Sequence, residues 1–186
     1  MLRNYQLYDT VTLNHLMLAN LKNIEIAVDM TVGNGHDTLF LAQHFPKVIG
    51  FDLQPQAIAN VQNKCVFKNV TLYCADHYYV ADYLDYADLF LFNLGWLPGS
   101  DKTILTTAEH TVATLEKCQG LLRKGGLISI VCYRGSAEQR AENAAIAAWI
   151  ESNNAFCVQV VQMLKNTKAP VLYLLALEKS VDRGII

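Results

Sequence analysis

From about residue 24 onward the chain alternates short, β-rich apolar runs with segments whose apolar residues recur at helical spacing. That alternation is the pattern of a parallel sheet covered by helices on both faces, because each parallel strand needs a crossover long enough to bring the chain back. Residues 24–30, 47–52, 70–74, 87–93 and 126–132 read as five such strands, each bounded by Gly, Asp or Asn. The last two runs break the rule. Residues 155–163 and 169–177 are separated only by 164–168, too short a link for a crossover helix, so they must pair antiparallel. The expected fold is α/β: a mostly parallel seven-stranded sheet with a C-terminal antiparallel hairpin and helices on both faces.

Between the strands, the clearest helix signal runs over 101–122, where Ile104, Leu105, Ala108, Val112, Leu115 and Leu122 share a face and Gly125-Gly126 follows as a stop. Ser136-Ala-Glu-Gln139 is a capping-box pattern opening a helix expected to bury Ala141, Ala145, Ala148 and Trp149. Pro55 suits the first position of a helix carrying Ile58, Val61 and Cys65. Residues 4–22, with Leu13, Leu16, Met17 and Leu21 in register, read as an N-terminal helix, and the tail 180–186 is expected to fray. A chain of 186 residues that is 52% hydrophobic has material for one core, so 1–186 is expected to be a single domain.

Fifteen Lys+Arg against seventeen Asp+Glu give a formal charge of −2, which excludes a polycation that coats nucleic acid and leaves a local basic patch open. The apolar run 171–177 falls far short of the roughly 18 residues of a membrane span, and the polar start lacks a signal-peptide core, so a soluble, cytoplasmic protein is expected. The five cysteines (65, 74, 118, 132 and 157) form no C-x-x-C pair and read as buried free thiols. No His/Cys/Asp group has metal-ligand spacing, so no metal site is expected.

In a doubly wound sheet, ligands gather at the carboxyl ends of the strands. Here those ends are acidic or amide throughout: Asp29-Met-Thr-Val-Gly33-Asn34-Gly35-His36-Asp37, then Asp52, Asp76 and Asn93. A dinucleotide fingerprint would need glycine at 38, where the chain has Thr38. Asp52 follows Asp29 by 23 residues, where an acidic side chain can accept both hydroxyls of a ribose. Plainer readings stand beside these. The acids can be turn or helix caps, His36 a loop histidine, His15, His44 and His110 packing histidines on helices, and Ser136 an N-cap rather than a nucleophile. Of the basic residues, Lys102 and Arg134 follow strand ends and can face a phosphate backbone.

These strand ends, with the antiparallel final strand, resemble the Rossmann-like class I S-adenosylmethionine-dependent methyltransferases over about residues 24–179. The segments 31–38, 51–54 and 93–102 resemble, more narrowly, a small bacterial family first described as rRNA methylases. Its members are associated with methylating the amine of 5-aminomethyl(-2-thio)uridine at the tRNA wobble position. The resemblance implies that Gly33, Asn34 and Gly35 let the backbone approach the cofactor's methionine part, with Asp29 at the head of that loop and Asp37 near its charged end. It implies Asp52 on the ribose, Gln54 beside the adenosine, and Asp76 and His77 on the adenine side. Asn93-Leu-Gly-Trp96 resembles the (Asp/Asn)-Pro-Pro-aromatic loop of amine methyltransferases, implying a catalytic pair in which the Asn93 carbonyl oxygen accepts a substrate N–H and Trp96 offers a stacking face. His36, Asp101, Lys102 and Arg134 are the implied substrate-side residues; the general base is left open among His36, Asp37 and Asp101. Two positions depart from the family: Asp76, where Ser is usual, and Ser136, where His is. The implied partner is the anticodon region of tRNA, with a homodimer as a way to compose one RNA surface. Methylation of rRNA or of a small amine, and a non-catalytic S-adenosylmethionine-binding domain, are the competing readings.

Overall fold

The computed structural model describes residues 9–95, 107–164 and 166–178. The five early runs form β1 (Ile26–Asp29), β2 (Lys47–Asp52), β3 (Val70–Cys74), β4 (Ala87–Leu94) and β5 (Leu122–Cys132), and the last two form β6 (Phe156–Val161) and β7 (Val171–Leu177). They make one sheet in the order β3-β2-β1-β4-β5-β7-β6. β1 to β5 pair parallel, and β7 lies antiparallel to both β5 and β6. The hairpin thus inserts its second strand next to β5. Burial explains the choice: nearly all of β7 is buried, as a strand covered on both faces must be, whereas Cys157, Val158, Gln159 and Val160 of β6 are exposed at the edge.

α1 (Thr10–Leu18), α2 (His36–His44) and α3 (Pro55–Lys64) cover one face; a 3-10 helix (His77–Asp82), α4 (Ala108–Leu121) and α5 (Ala137–Ser152) cover the other. Alternation along β1 divides the core: Ile26 and Val28 pack with Leu115 and Ile146 of the second layer, while Ala27 packs with Leu18 and Leu41 of the first.

Three helical expectations need correction. α1 buries Asn14 and Leu18 while Leu16 is exposed, because Asn14 Oδ1 accepts the buried Ser129 hydroxyl of β5 at 2.8 Å and so fixes which face meets the sheet. The helix expected from 101 begins at Ala108, behind an N-cap Thr107 whose hydroxyl accepts from His110 N; residues 101–106 lie outside the described ones. Its other end falls within one residue of the expected Leu122, where the chain turns extended ahead of Gly125-Gly126. In α5 the capping box forms as expected, but Ile146 and Trp149 are the buried residues, and Ala141 and Ala148 face solvent. The thiols also divide: Cys118 and Cys132 are buried, Cys65 is intermediate, and Cys74 and Cys157 are exposed because β3 and β6 are the two edge strands. No helix among the described residues is long and apolar enough to cross a membrane.

Candidate active site

A cleft of about 680 Å³ opens at the carboxyl ends of the central strands, where the strand order reverses between β1 and β4. Its first wall is the loop joining β1 to α2. Gly35 ends that loop at φ +82, and a Cβ there would stand 2.4 Å from Val61 Cγ2, so only glycine admits α3 this close. Asp52 closes the loop onto β2: Oδ2 accepts Gly33 N and Oδ1 accepts Gln54 N, both at 2.8 Å. Each oxygen keeps a further lone pair, which suits a vicinal diol. Asn34, His36 and Gln54 line the same cleft, with His36 exposed in the first turn of α2.

Asp29 does not line the cleft. It is fully buried, accepting Thr31 N at 3.0 Å and the Thr38 hydroxyl at 2.6 Å, so it braces the loop from beneath. Thr38, at the position of the missing third glycine, supplies that brace. Burial, then the neighbouring Asp37 charge, push the Asp29 carboxyl up to about 7.

At the end of β3, Asp76 caps the 3-10 helix, accepting Tyr78 N at 2.8 Å, and its other oxygen meets His110 Nε2 at 3.1 Å. The plainer reading of Asp76 as a cap therefore holds, with a contact to His110 that spacing did not reveal. His77 is buried and donates Nδ1–H to Met30 O at 2.9 Å, which leaves Nε2 a bare acceptor with no partner among the described residues. Burial holds its pKa below the ordinary histidine value. One ligand atom each from Asp76, His77 and His110 lies within 4.8 Å of the others, a grouping that joins His77 to a residue 33 positions away and that linear spacing does not connect.

The opposite wall is the end of β4. Asn93 N donates to Thr31 Oγ1 at 2.9 Å and Asn93 Nδ2 to Asp37 Oδ2 at 2.8 Å, while Asn93 Oδ1 is buried with no hydrogen-bond partner among the described residues. Asp37 is buried, and its Oδ1 accepts from His15 Nε2 of α1 at 2.5 Å. Gly95 lets the chain pass Tyr133, whose Cε2 would lie 2.9 Å from a Cβ there. Burial, then the Asp37 and Asp9 charges, raise the Tyr133 pKa.

Trp96, Asp101 and Lys102 lie outside the described residues. Arg134 is not among the residues lining the cleft; its Nε and Nη2 both donate to Ala169 O, at 2.9 and 2.7 Å, tying the end of β5 to the start of β7. Ser136 and Gln139 form the capping box and also line the cleft. Sequence reasoning missed the placement of His15, His110 and Tyr133, which arrive from distant elements. Only Thr38 carried a signal, as the glycine that was not there.

A seven-stranded sheet of this order, with a glycine-turned loop after β1, an acid at the end of β2 and a polar acceptor at the end of β4, defines a class I methyltransferase. Residues 48–177 match the family described as "Putative rRNA methylase". The chain belongs to that family. A structure of the same description from Clostridium thermocellum shares 29% identity, covers 93% of this chain and all of its own, and superposes with a TM-score of 0.85. The Streptococcus mutans methyltransferase SMU.1697c, solved with SAH, shares 29% identity over 92% of this chain and 99% of its own, with a TM-score of 0.83. Among curated proteins, the chloroplastic tRNA (mnm5s2U34)-methyltransferase of Arabidopsis thaliana is 28% identical over 173 residues, covering 80% of this chain; the chain spans 61% of that relative's length.

Proposed function

We propose that this protein uses S-adenosylmethionine to methylate the amine of 5-aminomethyl(-2-thio)uridine at the wobble position of tRNA. The observation that carries the reading is the Asn93 carbonyl oxygen, a buried, unpartnered acceptor on the wall of the cleft facing the glycine-turned loop. An amine donates N–H to such an oxygen and so aims its lone pair. The tRNA identity draws on the curated relative; the S. mutans structure with SAH supports the cofactor.

The cleft fits S-adenosylmethionine on its own chemistry. Asp52 keeps lone pairs for the ribose hydroxyls, Gly33, Asn34 and Gly35 keep the loop low, and His77 Nε2, beside the Asp76 cap, is an acceptor toward the adenine side. When bound, the cofactor supplies an electrophilic methyl group on a sulfonium. An alkylamine titrates in water at about 10.4, so the site must favour its neutral form; burial near a cation does so. Asn93 orients the amine and is too weak a base to take its proton. Trp96 is proposed to stack on a base, and Asp101 and Lys102 to meet the anticodon region. With a net charge of −2 a single copy has little general pull on RNA, so two copies are proposed to share the RNA face.

The test is nucleoside mass spectrometry of tRNA from cells lacking the protein, and of the same tRNA after incubation with purified protein and labelled S-adenosylmethionine. Aminomethyluridine should accumulate in the first and gain one methyl in the second. Unchanged wobble nucleosides with loss of an rRNA methyl mark would assign the activity to rRNA instead. Elution as a monomer both with and without tRNA would remove the shared face.

A further inference from the structure

Asn93 can present either its oxygen or its NH2 to the cleft, and the two orientations differ by a half-turn of one side-chain bond. Its backbone has no such freedom, being held in β4 and by Thr31 Oγ1. What distinguishes the orientations is Asp37: its Oδ2 accepts Asn93 Nδ2–H at 2.8 Å, which turns Asn93 Oδ1 the other way. A flipped amide would set oxygen against oxygen. Asp37 is itself held from the far side by His15 Nε2 on Oδ1, and the His15 ring lies flat on Phe40, with centroids 3.9 Å apart and planes 1° from parallel. The helix that brings His15 is fixed in turn by the buried Asn14–Ser129 hydrogen bond and by Leu18.

Both Asp37 oxygens thus accept from protein donors in a residue that is only 6% exposed. Asp37 lines the cleft, but its burial leaves little of it open to the cofactor's charged end, the role the sequence resemblance implied. The unpartnered Asn93 Oδ1 completes the pattern: a buried acceptor left unpaired costs stability, and such a group is retained where an incoming donor will meet it.

We propose that Asp37 is a positioning residue, held by His15, that locks the Asn93 amide with its oxygen toward the nucleophile and so selects a nitrogen that still carries N–H over a deprotonated oxygen or sulfur. The inference rests on the amine-methylating function proposed above. It gives Asp37 no contact with the reacting atoms; it acts through Asn93.

The experiment is single-turnover methylation of aminomethyluridine-containing tRNA at saturating S-adenosylmethionine, with cofactor affinity by calorimetry and a thermal melt for each variant. Asp37→Ala should slow methyl transfer about 100-fold while changing cofactor affinity less than threefold. In an Asn93→Ala background the same substitution should cost nothing further, since its target is gone. Asp37→Asn, which keeps the side chain's shape and carries the test if Asp37→Ala does not fold, should slow transfer about tenfold. The exchange D37N/N93D restores a donor facing a carboxylate and leaves one carboxylate oxygen for the amine, so it should recover at least tenfold of the rate lost in Asn93→Ala. His15→Phe, which keeps the stack on Phe40 and loses the N–H, should slow transfer several-fold.

A tenfold or greater loss of cofactor affinity, with the rate restored at saturating cofactor, would make Asp37 a cofactor ligand and overturn the inference. So would additive losses in the Asp37→Ala, Asn93→Ala double variant, or an exchange no faster than Asn93→Ala. Wild-type protein inert on this tRNA overturns the proposed function and the inference with it. Active wild type with any of the other adverse results overturns the inference alone.

Discussion

Two buried aspartates on adjacent central strands meet opposite treatment. Asp88, at the amino end of β4, accepts Glu25 N and Ile26 N at 2.8 and 2.9 Å, and Arg123 Nε at 2.5 Å, with Glu25 on the same guanidinium. Burial alone would raise its pKa, yet the Arg123 hydrogen bond and the two backbone donors more than offset that and hold it below the ordinary value. Asp29, at the carboxyl end of β1, has no cation among its partners. It has a hydroxyl, a backbone N–H, and the charges of Asp37 and Asp52 nearby, and its pKa climbs to about 7. The amino end of the sheet is electrostatically closed, as a structural end can be. Among the described residues, the acids at the carboxyl end have no Lys or Arg partner, which suits the sulfonium and the amine proposed for the site.

The largest effect expected on this contrast is at Asn93. Asn93→Ala should reduce single-turnover methylation by about two to three orders of magnitude, the range for losing one positioned polar contact in a transition state, and leave cofactor affinity nearly intact. An unchanged rate would make the carboxyl end as purely structural as the amino end.

Asp29→Asn sharpens the comparison through pH. Because the native carboxyl binds its proton more tightly than the unfolded one, native Asp29 contributes fully at low pH, and that contribution is lost as pH rises from about 4 to about 7. The amide neither ionises nor repels Asp37. Urea unfolding should therefore show the variant gaining on wild type across that window, by about 4 kcal/mol at pH 8. Parallel stability curves for the two proteins would remove the charge conflict at Asp29.

Asp88→Ala should destabilise by about 2 kcal/mol, since two backbone N–H groups and the Arg123 side chain lose their acceptor. Chemical denaturation would read that loss, and the methylation rate of the folded protein should stay at the wild-type value. A lost rate would mean the two ends are coupled. The smallest effect is at the Ser136 cap, where Ser136→Ala should cost about 1 kcal/mol by the same denaturation assay.

Local rules did well where one segment carried the whole message. β2 and β3 fall on the residues read from the chain, Pro55 opens α3, and the Ser136–Gln139 box forms because both partners lie within one turn. Periodicity failed where the neighbour decided the face: α1 turned to seat Asn14 on Ser129, 115 residues away, and α5 buried Ile146 in place of the alanines. The site divides the same way. Asp52 and Asn93 were legible because each sits at a strand end, and Gly35 because it follows one in a G-x-G turn, but whether an acid touches the cleft or braces it from below was not, as Asp29 and Asp76 show.

The sequence alone determined an α/β sheet, its antiparallel ending and the polar strand ends that mark the cleft, because strand alternation, crossover length and glycine turns are properties of contiguous residues. Only the tertiary structure decided that β7 rather than β6 joins β5, that Asp76, His77 and His110 converge, and that His15 reaches Asp37 and Asp37 reaches Asn93. Those contacts join residues 22 and 56 positions apart, and their geometry depends on how two helical layers seat on the sheet, which no single segment encodes.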